Sequence, residues 1–339
     1  MSAECREWDI CDGMLTSSFN DDLIAKARSH DIPVVCISAA RNEPSIPRVL
    51  ADSREIGRMT ARYFLQQGFK QFLYVGLSGH WFASERLAGF QEVLAEKNLS
   101  CTNAELQTGN RIVWQKSIGQ LVEPLTQAPK PLAAMGCSDA QAATLVDLCR
   151  ELDIRVPDDV SVLGVDNELR ICEFSRPRIS SIDPNFTRVG YLAADLLEKL
   201  MAGKDPPAEP ILIPPKQLVV RTSSDTLAID DPVVVEAMRA IRRRASEPIR
   251  VDDVVEEVPL SRRPLETRFR RATGRTIAQE IMSAHVGRAR ELLVTSDLTV
   301  LDVALASGFR SQQHLSQVFR KHLGCSPNGY RRQHRSRPL

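Results

Sequence analysis

Short apolar and β-branched runs alternate with amphipathic stretches over the first two thirds of the chain. The runs predict strands at residues 13–17, 33–38, 48–51, 71–76, 132–136, 160–165, 179–182 and 211–220. The stretches between them predict helices at residues 20–30, 53–67, 83–97, 114–126, 139–152 and 187–202. Alternation of this kind is typical of right-handed βαβ units, so we expect an α/β domain with parallel sheets.

The pattern changes near residue 222. Residues 222–232 are polar, have no period and end in Pro232, as expected of a linker. Beyond them the apolar positions recur only at helical spacing, and the β-rich runs stop. We therefore predict an α/β domain over residues 1–221, a linker over 222–232 and an all-α domain over 233–335.

The all-α domain contains a first helix-turn-helix pattern. Residues 251–258 form a short amphipathic helix that ends at Pro259, and Ser261 can cap the helix that follows. Leu265 and Phe269 lie on one face of this second helix. Its other face is rich in arginine, as a helix that enters a DNA groove requires, and it carries Arg262, Arg263, Glu266 and Arg270.

A second helix-turn-helix pattern spans residues 298–330. Gly308 supplies a turn that favours positive φ, Phe309 fills the space between the helices, and Ser311 can cap the helix over residues 312–323. The outward positions of that helix and its approach are rich in side chains that read base edges, namely Arg310, Gln312, Gln313, His314 and Gln317.

These residues resemble the AraC/XylS family. The resemblance rests on the Ser-Arg-Arg run at 261–263 and on Gly308-Phe309, Ser311, Phe319 and Ser326-Pro327 at family spacing. It implies two helix-turn-helix units joined by a helix over residues 277–294, with recognition helices 261–271 and 311–323 in successive major grooves of double-stranded DNA. By chemistry, Arg262 and Arg310 can contact guanine, and Gln312 or Gln313 adenine. Phosphate contacts are expected of Lys321, Arg331 and Arg332.

Charge supports this interpretation of the second domain. The whole chain has a net charge of +1, but residues 233–339 hold 20 Lys and Arg against 11 Asp and Glu. The preceding residues are correspondingly acidic. A basic module on an acidic body is typical of a nucleic-acid-binding protein.

The α/β domain resembles the effector-binding core of the LacI/GalR family. The likeness lies in residues 68–76, 86–90, 137–143 and 156–167. It implies a two-lobed periplasmic-binding-protein-like fold in which Arg86 and Asp166 bind sugar hydroxyls, with Ser138 or Asp139 completing the set and Trp81 or Phe82 covering the sugar. The alternatives are a turn role for Asp166, ordinary packing for Trp81 and a helix N-cap role for Asp139.

The order of the two domains matches the xylose operon regulatory protein family. That resemblance implies a transcription activator that responds to D-xylose or a similar pentose, forms a homodimer and acts on RNA polymerase. It also implies about fifty residues before the present start, which leads us to expect an N-terminally incomplete sensor. The alternative is an AraC-type regulator with a degenerate sensor that responds to another effector or to none.

Catalysis is not expected. The six histidines are dispersed, and the sequence has neither a GxSxG nor a Walker motif. The eight cysteines lack metal-ligand spacing, so we expect reduced structural thiols and neither a metal nor a cofactor. Without a signal peptide or a membrane-spanning run, we expect a cytoplasmic protein.

Overall fold

The structure, a computed structural model, describes residues 11–229 and 231–334. The predictions for residues 1–10 (Cys5 among them), for residue 230 of the linker and for residue 335 lie outside the described residues. The chain divides into two compact units. The first comprises Met1–Arg62 and Gln71–Asp225, and the second comprises Tyr63–Lys70 and Thr226–Leu339.

The first unit has two α/β lobes. Its strands are β1 (Met14–Thr16), β2 (Val34–Cys36), β3 (Val49–Ala51), β4 (Gln71–Leu77), β5 (Thr102–Leu106), β6 (Leu132–Gly136), β7 (Val160–Val165), β8 (Ser180–Asp183), β9 (Ile211–Ile213) and β10 (Gln217–Val219). The helices that lie wholly or mostly in it are α1 (Asp21–Ser29), α2 (Ser53–Gln66), α3 (Trp81–Ala95), α4 (Arg111–Gly119), α5 (Val122–Gln127), α6 (Asp139–Glu151), α7 (Leu169–Phe174) and α8 (Phe186–Met201).

The first lobe contains β1, β2, β3 and β9 and is packed against α1 and α8. β1 pairs with β2 and β3 with β9, both in parallel. The second lobe is a six-stranded sheet in the order β10-β8-β7-β6-β4-β5, parallel except for the antiparallel pair of β10 with β8. The expected α/β class is confirmed, because burial of apolar strands between helices on both faces favours parallel pairing.

Several elements differ from the predicted ones. The predicted strand over residues 211–220 is two strands in different sheets, because Pro214 and Pro215 interrupt it. The predicted helix over residues 114–126 is wrong as a single element, since the chain breaks at Gly119 into α4 and α5. β5 was not predicted because its residues are mostly exposed and polar, and the six-residue α7 is too short to show a period.

The predicted linker begins with residues that complete the first unit. Ser223 and Ser224 are fully buried. The Ser223 hydroxyl donates to the carbonyl of Val162 at 2.6 Å and accepts from the amide of Ser180 at 2.9 Å. This segment therefore ties β7 to β8 in the second lobe.

The second unit is helical in its described residues from 231 onward, with two small cores. Its helices are α9 (Pro232–Arg243), α10 (Val251–Glu256), α11 (Arg262–Thr273), α12 (Ile277–Thr295), α13 (Val300–Leu305), α14 (Gln312–Leu323) and α15 (Pro327–His334). Leu265 and Phe269 belong to one core. Leu315 and Phe319 belong to the other. The long α12 contributes Ile281 to the first core and Leu293 to the second, so it joins the two halves.

Candidate effector cleft and nucleic-acid interface

The cleft of the first unit lies where the strands of both lobes end. The chain after β2 reaches the start of α3, where the amides of Trp81 and Phe82 donate to the carbonyls of Ala40 and Ala39 at 2.9 and 3.0 Å. Cys137 and Asp166 directly follow β6 and β7 of the second lobe. In open α/β sheets, ligands bind beyond the carboxyl ends of the strands. The polar side chains there are the candidate site.

Arg86 is the central side chain of this cleft. It is 4% exposed, and one Nη donates to the carbonyl of Cys137. The other Nη lies 3.6 Å from an Asp166 carboxylate oxygen, and the guanidinium lies over the Phe82 ring at 4.9 Å from its centre. The buried Nε of Arg86 has no hydrogen-bond partner among the described residues. A buried donor without an acceptor is costly, so this position of Arg86 is not optimised for stability alone.

The position of Arg86 is fixed by a close crossing of α2 and α3. A Cβ atom on Gly57 would lie 2.0 Å from the carbonyl oxygen of Arg86, and one on Gly89 would lie 1.9 Å from that of Arg54. Only glycine allows the two backbones to approach this closely. On the outer side of the crossing, Arg58 pairs with Glu92 at 2.8 Å. These contacts hold the helix that presents Arg86.

The backbone turn at Asp166 sets the position of its side chain, and burial sets the pKa of its carboxyl group. Its φ is +111° and that of Asn167 is +50°, so the chain turns sharply after β7. The Asp166 amide still bonds the carbonyl of Ile182 at 3.0 Å. Burial raises the pKa of Asp166 to about 6, although Arg86 acts to lower it. The carboxylate is therefore mostly charged at neutral pH and able to accept two hydroxyl groups.

Ser138 and Asp139 have different roles. Ser138 is the N-cap of α6, since its hydroxyl accepts from the amide of Ala140. The N-cap prediction for Asp139 is wrong, because Asp139 lies one residue inside the helix. Asp139 is 1% exposed and accepts from the Ser181 hydroxyl at 2.6 Å, the Glu168 amide at 2.8 Å and the Cys172 thiol at 3.3 Å. It therefore braces the turn that carries Asp166.

The two aromatic side chains at the start of α3 each face an arginine. Phe82 lies under Arg86, and Trp81 lies under Arg48, whose guanidinium carbon is 5.3 Å from the centre of the indole ring. Both rings are half-buried. One ring face of each is therefore already covered, and the Phe82 ring also packs against the His80 ring, with the ring centres 5.5 Å apart.

The first recognition helix, α11, presents a mixed surface. Ser261 is at the N-cap position but makes no capping bond through its side chain. Arg262 is paired with Glu266 at 2.9 Å and with Asp252 at 2.7 Å. Arg263 and Arg270 are exposed. A base contact by Arg262 requires that these two ion pairs open, whereas Arg263 and Arg270 have no ion pair among the described residues.

The second recognition helix, α14, begins where it is predicted to begin. Gly308 has a φ of +74°, as predicted for the turn. The Ser311 hydroxyl accepts from the His314 amide at 3.2 Å. The exposed face carries Arg310, Gln312, Gln313, His314, Gln317 and Lys321. The His314 ring also packs edge-on against Phe309, with the ring centres 5.4 Å apart. This face offers several donors and acceptors to a groove.

Arg331, which is predicted to contact a phosphate, makes hydrogen bonds inside the domain. Arg331 donates to the carbonyls of Leu293 and Leu298 at 3.2 and 2.6 Å. These carbonyls lie at the end of α12 and in the turn after it, so Arg331 caps that end. Lys321 and Arg332 remain exposed.

The comparisons with known proteins match both units. Residues 61–224 match a periplasmic binding protein-like domain, and residues 254–333 match a helix-turn-helix domain. The chain is 30% identical to the xylose operon regulatory protein of Escherichia coli strain K12 over 96% of this chain and 85% of that protein. The chain belongs to the xylose operon regulatory protein family. It is also 30% identical to the Haemophilus influenzae member over 94% of this chain and 84% of that protein.

A solved structure from this family supports the same assignment. The xylose-binding transcription activator xylR matches 96% of this chain and 87% of its own, with a TM-score of 0.59 and 28% identity. The members of this family are transcription regulators with an AraC-type helix-turn-helix domain, and this chain is one of them. In the part of the chain that the structure describes, no helix is long and apolar enough to cross a membrane.

The sequence did not reveal two arginines that contact residues of the candidate cleft. Arg48 is only 3% exposed at the start of β3, and its lone charge in an apolar run was the available signal. Arg221 donates to the Asn167 side chain at 2.9 Å and pairs with Glu173 at 2.6 Å. It therefore holds the turn after β7, but it lies 55 residues after Asp166 in the chain, and spacing alone could not reveal the contact.

Proposed function

We propose that the protein is a sugar-responsive transcription activator. Its effector is D-xylose or a similar pentose, and the effector binds in the cleft around Arg86 and Asp166. The observation that carries the proposal is the buried Arg86, which is held against Asp166 and has one donor left unused. A carboxylate and an arginine fork side by side match the vicinal hydroxyls of a sugar, which accept and donate together.

We assign DNA binding, the output of the regulator, to the pair of recognition helices. α11 and α14 enter major grooves of double-stranded promoter DNA, with Arg263, Arg270, Arg310 and the glutamines of α14 as base readers. Their exposure and the basic charge of this part of the chain support the assignment. We further propose that the protein acts as a homodimer in the cytoplasm and contacts RNA polymerase, as the resemblance to the xylose regulators implies.

Calorimetry on the full chain with D-xylose, L-arabinose and D-ribose tests the sensor. We expect heat from at least one pentose, and Asp166→Ala should abolish it while DNA binding without sugar remains. Asp158→Ala is the matched control, because Asp158 is an exposed carboxylate that pairs only loosely with Arg155 at 3.9 Å. If no sugar binds, the regulator has another effector or none.

Electrophoretic mobility-shift assays with the DNA upstream of neighbouring genes test whether the protein binds DNA in a sequence-specific manner. We expect one fragment to be bound in preference to random DNA, with an affinity or pattern that changes when the sugar is added. Loss of DNA binding in Asp166→Ala without sugar would instead make Asp166 a structural residue.

A further inference from the structure

His285 lies where the two cores of the helical domain meet. It is near the middle of α12, four positions after Ile281 of the first core and four before Ala289 of the second. The three residues lie on one face of α12, because positions four apart are neighbours on a helix. His285 is only 5% exposed. A polar side chain is therefore buried at the place where the apolar stripe of α12 passes from one core to the other.

Both helix-turn-helix units contribute groups around the His285 ring. The ring of Phe309, in the second core, packs against it with the ring centres 5.8 Å apart. A Cβ atom on Gly308 would lie 2.4 Å from the Nε2 atom of His285 and 2.5 Å from the carbonyl oxygen of Glu247. Glu247 lies between α9 and α10, two residues before Ile249 of the first core. The backbone beside the first core and the turn of the second unit therefore meet at this ring.

The surroundings keep the ring neutral and connect it to a recognition helix. Burial is the largest effect and lowers the pKa of His285, while the Glu247 carbonyl acts to raise it and His314 to lower it. A neutral ring can fill a buried junction without the cost of burying a charge. The Phe309 ring packs in turn against the His314 ring of α14, with the ring centres 5.4 Å apart. Three rings thus form a continuous path from α12 to α14.

The junction between the two cores sets the separation of α11 and α14. One added base pair moves a site on DNA by about 3.4 Å along the axis and turns it by about one tenth of a turn. Two recognition helices at a fixed separation can follow only one spacing, whereas helices on a loose junction can follow several. Because protein interiors are close-packed and transmit strain, a ring that fills the junction holds the two helices in place.

We infer that His285 is a positioning residue that fixes the spacing between the two blocks of base pairs read by α11 and α14. The inference rests on the proposed DNA-binding function and adds the spacing of the blocks to their sequence as a determinant of specificity. His285 acts through Phe309 and the backbone of Glu247, since its own side chain is buried.

Selection of binding sites from random double-stranded DNA, with the full chain, tests the inference. For the native protein we expect two preferred blocks at a single spacing. One base pair inserted between the blocks should weaken binding about tenfold or more in mobility-shift assays. His285→Ala leaves a void at the junction, so the same insertion should weaken its binding by less than about threefold. The sequence of each block should stay the same.

Val294→Ala is the matched control, because Val294 is a buried residue of α12 that belongs to the second core. This variant also leaves a void, but away from the junction, and should keep the single spacing of the native protein. Circular dichroism checks that each variant folds. If His285→Ala does not fold, His285→Val decides by the same measurement, since its side chain is also too small to fill the junction.

The other outcomes separate the inference from the function. If the native protein selects several spacings or one block alone, or if the folded His285 variant keeps the single spacing, the inference is overturned and DNA binding stands. A loss of spacing preference in Val294→Ala also overturns it, because a void anywhere in the domain would then have this effect. Complete loss of DNA binding by a folded His285 variant would make His285 a structural residue and overturn the inference as well. If no sequence is enriched at all, the proposed DNA-binding function fails together with the inference.

Discussion

Asp166 shows how burial tunes a single residue for binding. Burial raises its pKa from the ordinary 3.8 to about 6, against the pull of Arg86. Sugar hydroxyls donate to the ionised carboxylate, so protonation competes with the effector. We expect sugar affinity to be constant above about pH 7 and to fall below pH 6, approaching a tenfold loss per pH unit. Calorimetry across this range measures it.

The raised pKa of Asp166 affects the stability of the fold in the opposite direction to sugar affinity: stability falls as the pH rises. Because the folded pKa is raised, the folded state holds a proton that the unfolded chain releases between about pH 4 and 6. The contribution of Asp166 to stability is therefore present at low pH and is lost as the pH rises through 6.

Asp166→Asn should remove the pH dependence of the sugar binding that this variant retains. An affinity that is equal at about pH 5 and 7 in the native protein would contradict this assignment.

At the residue scale, the sequence indicated which residues are candidates for the cleft but not which partners most of them have. Arg86 lies beside Asp166 and over Phe82, whereas Trp81 lies under Arg48. The role of Asp139 was not predictable, because its partner Ser181 lies on β8, 42 positions away in the chain. The same holds for Arg48, whose position over the Trp81 ring joins residues 33 positions apart.

Among the elements, the turn before α14 depends on a glycine. A Cβ atom on Gly308 would lie 2.4 Å from the His285 ring and 2.5 Å from the Glu247 carbonyl, and the φ there is +74°. We expect Gly308→Ala to destabilise the helix-turn-helix domain by about 2 kcal/mol or more, through both strain and collision. DNA affinity should fall while sugar affinity is retained. Thermal unfolding and mobility shifts measure the two effects.

Gly324 offers the matched control for this change. Its φ is +69°, but nothing lies within 4 Å of a Cβ atom placed there. Gly324→Ala should therefore cost only the backbone strain, about 1 kcal/mol. Equal losses in the two variants would mean that the contact with His285 has no energetic weight.

The exposed face of α14 should set sequence choice. Gln313 is exposed near the N-terminus of the helix and has no hydrogen-bond partner among the described residues. If it reads a base, Gln313→Ala should weaken binding to the preferred DNA by about 1–3 kcal/mol and leave binding to random DNA almost unchanged. Competition assays with both DNAs measure the ratio. His322→Ala, at an exposed position near the other end of α14, is the control and should leave the ratio unchanged.

The sequence predicted long periodic elements well and short or edge elements poorly. α14 and β7 have the predicted bounds because buried apolar positions recur throughout them. β5 has one fully buried residue in five, so its pairing with β4 and not its own pattern makes it a strand. The helix α9 lies in the predicted all-α domain, but it begins at Pro232, the last residue of the predicted linker, with Asp231 as its N-cap.

For the whole molecule, the distribution of charge is the main determinant of how the protein meets DNA. The net charge of +1 conceals a basic segment with 20 Lys and Arg after residue 232. Several of these charges are neutralised internally, as in the pair of Arg268 with Asp231 at 2.6 Å. The exposed and unpaired ones determine how strongly salt weakens binding, because each phosphate contact releases counterions.

The contribution of Lys321 to the salt dependence of DNA binding can be measured. It is exposed at the end of α14 and has no ion pair among the described residues. If it contacts a phosphate, Lys321→Ala should lower the affinity for preferred and random DNA alike and reduce the slope of log K against log salt by about 1. Lys199→Ala, which removes a lysine paired with Asp195 at 2.7 Å in the first unit, should leave the slope unchanged. A change of sequence preference in Lys321→Ala, with the salt slope unaltered, would instead mean that Lys321 reads a base.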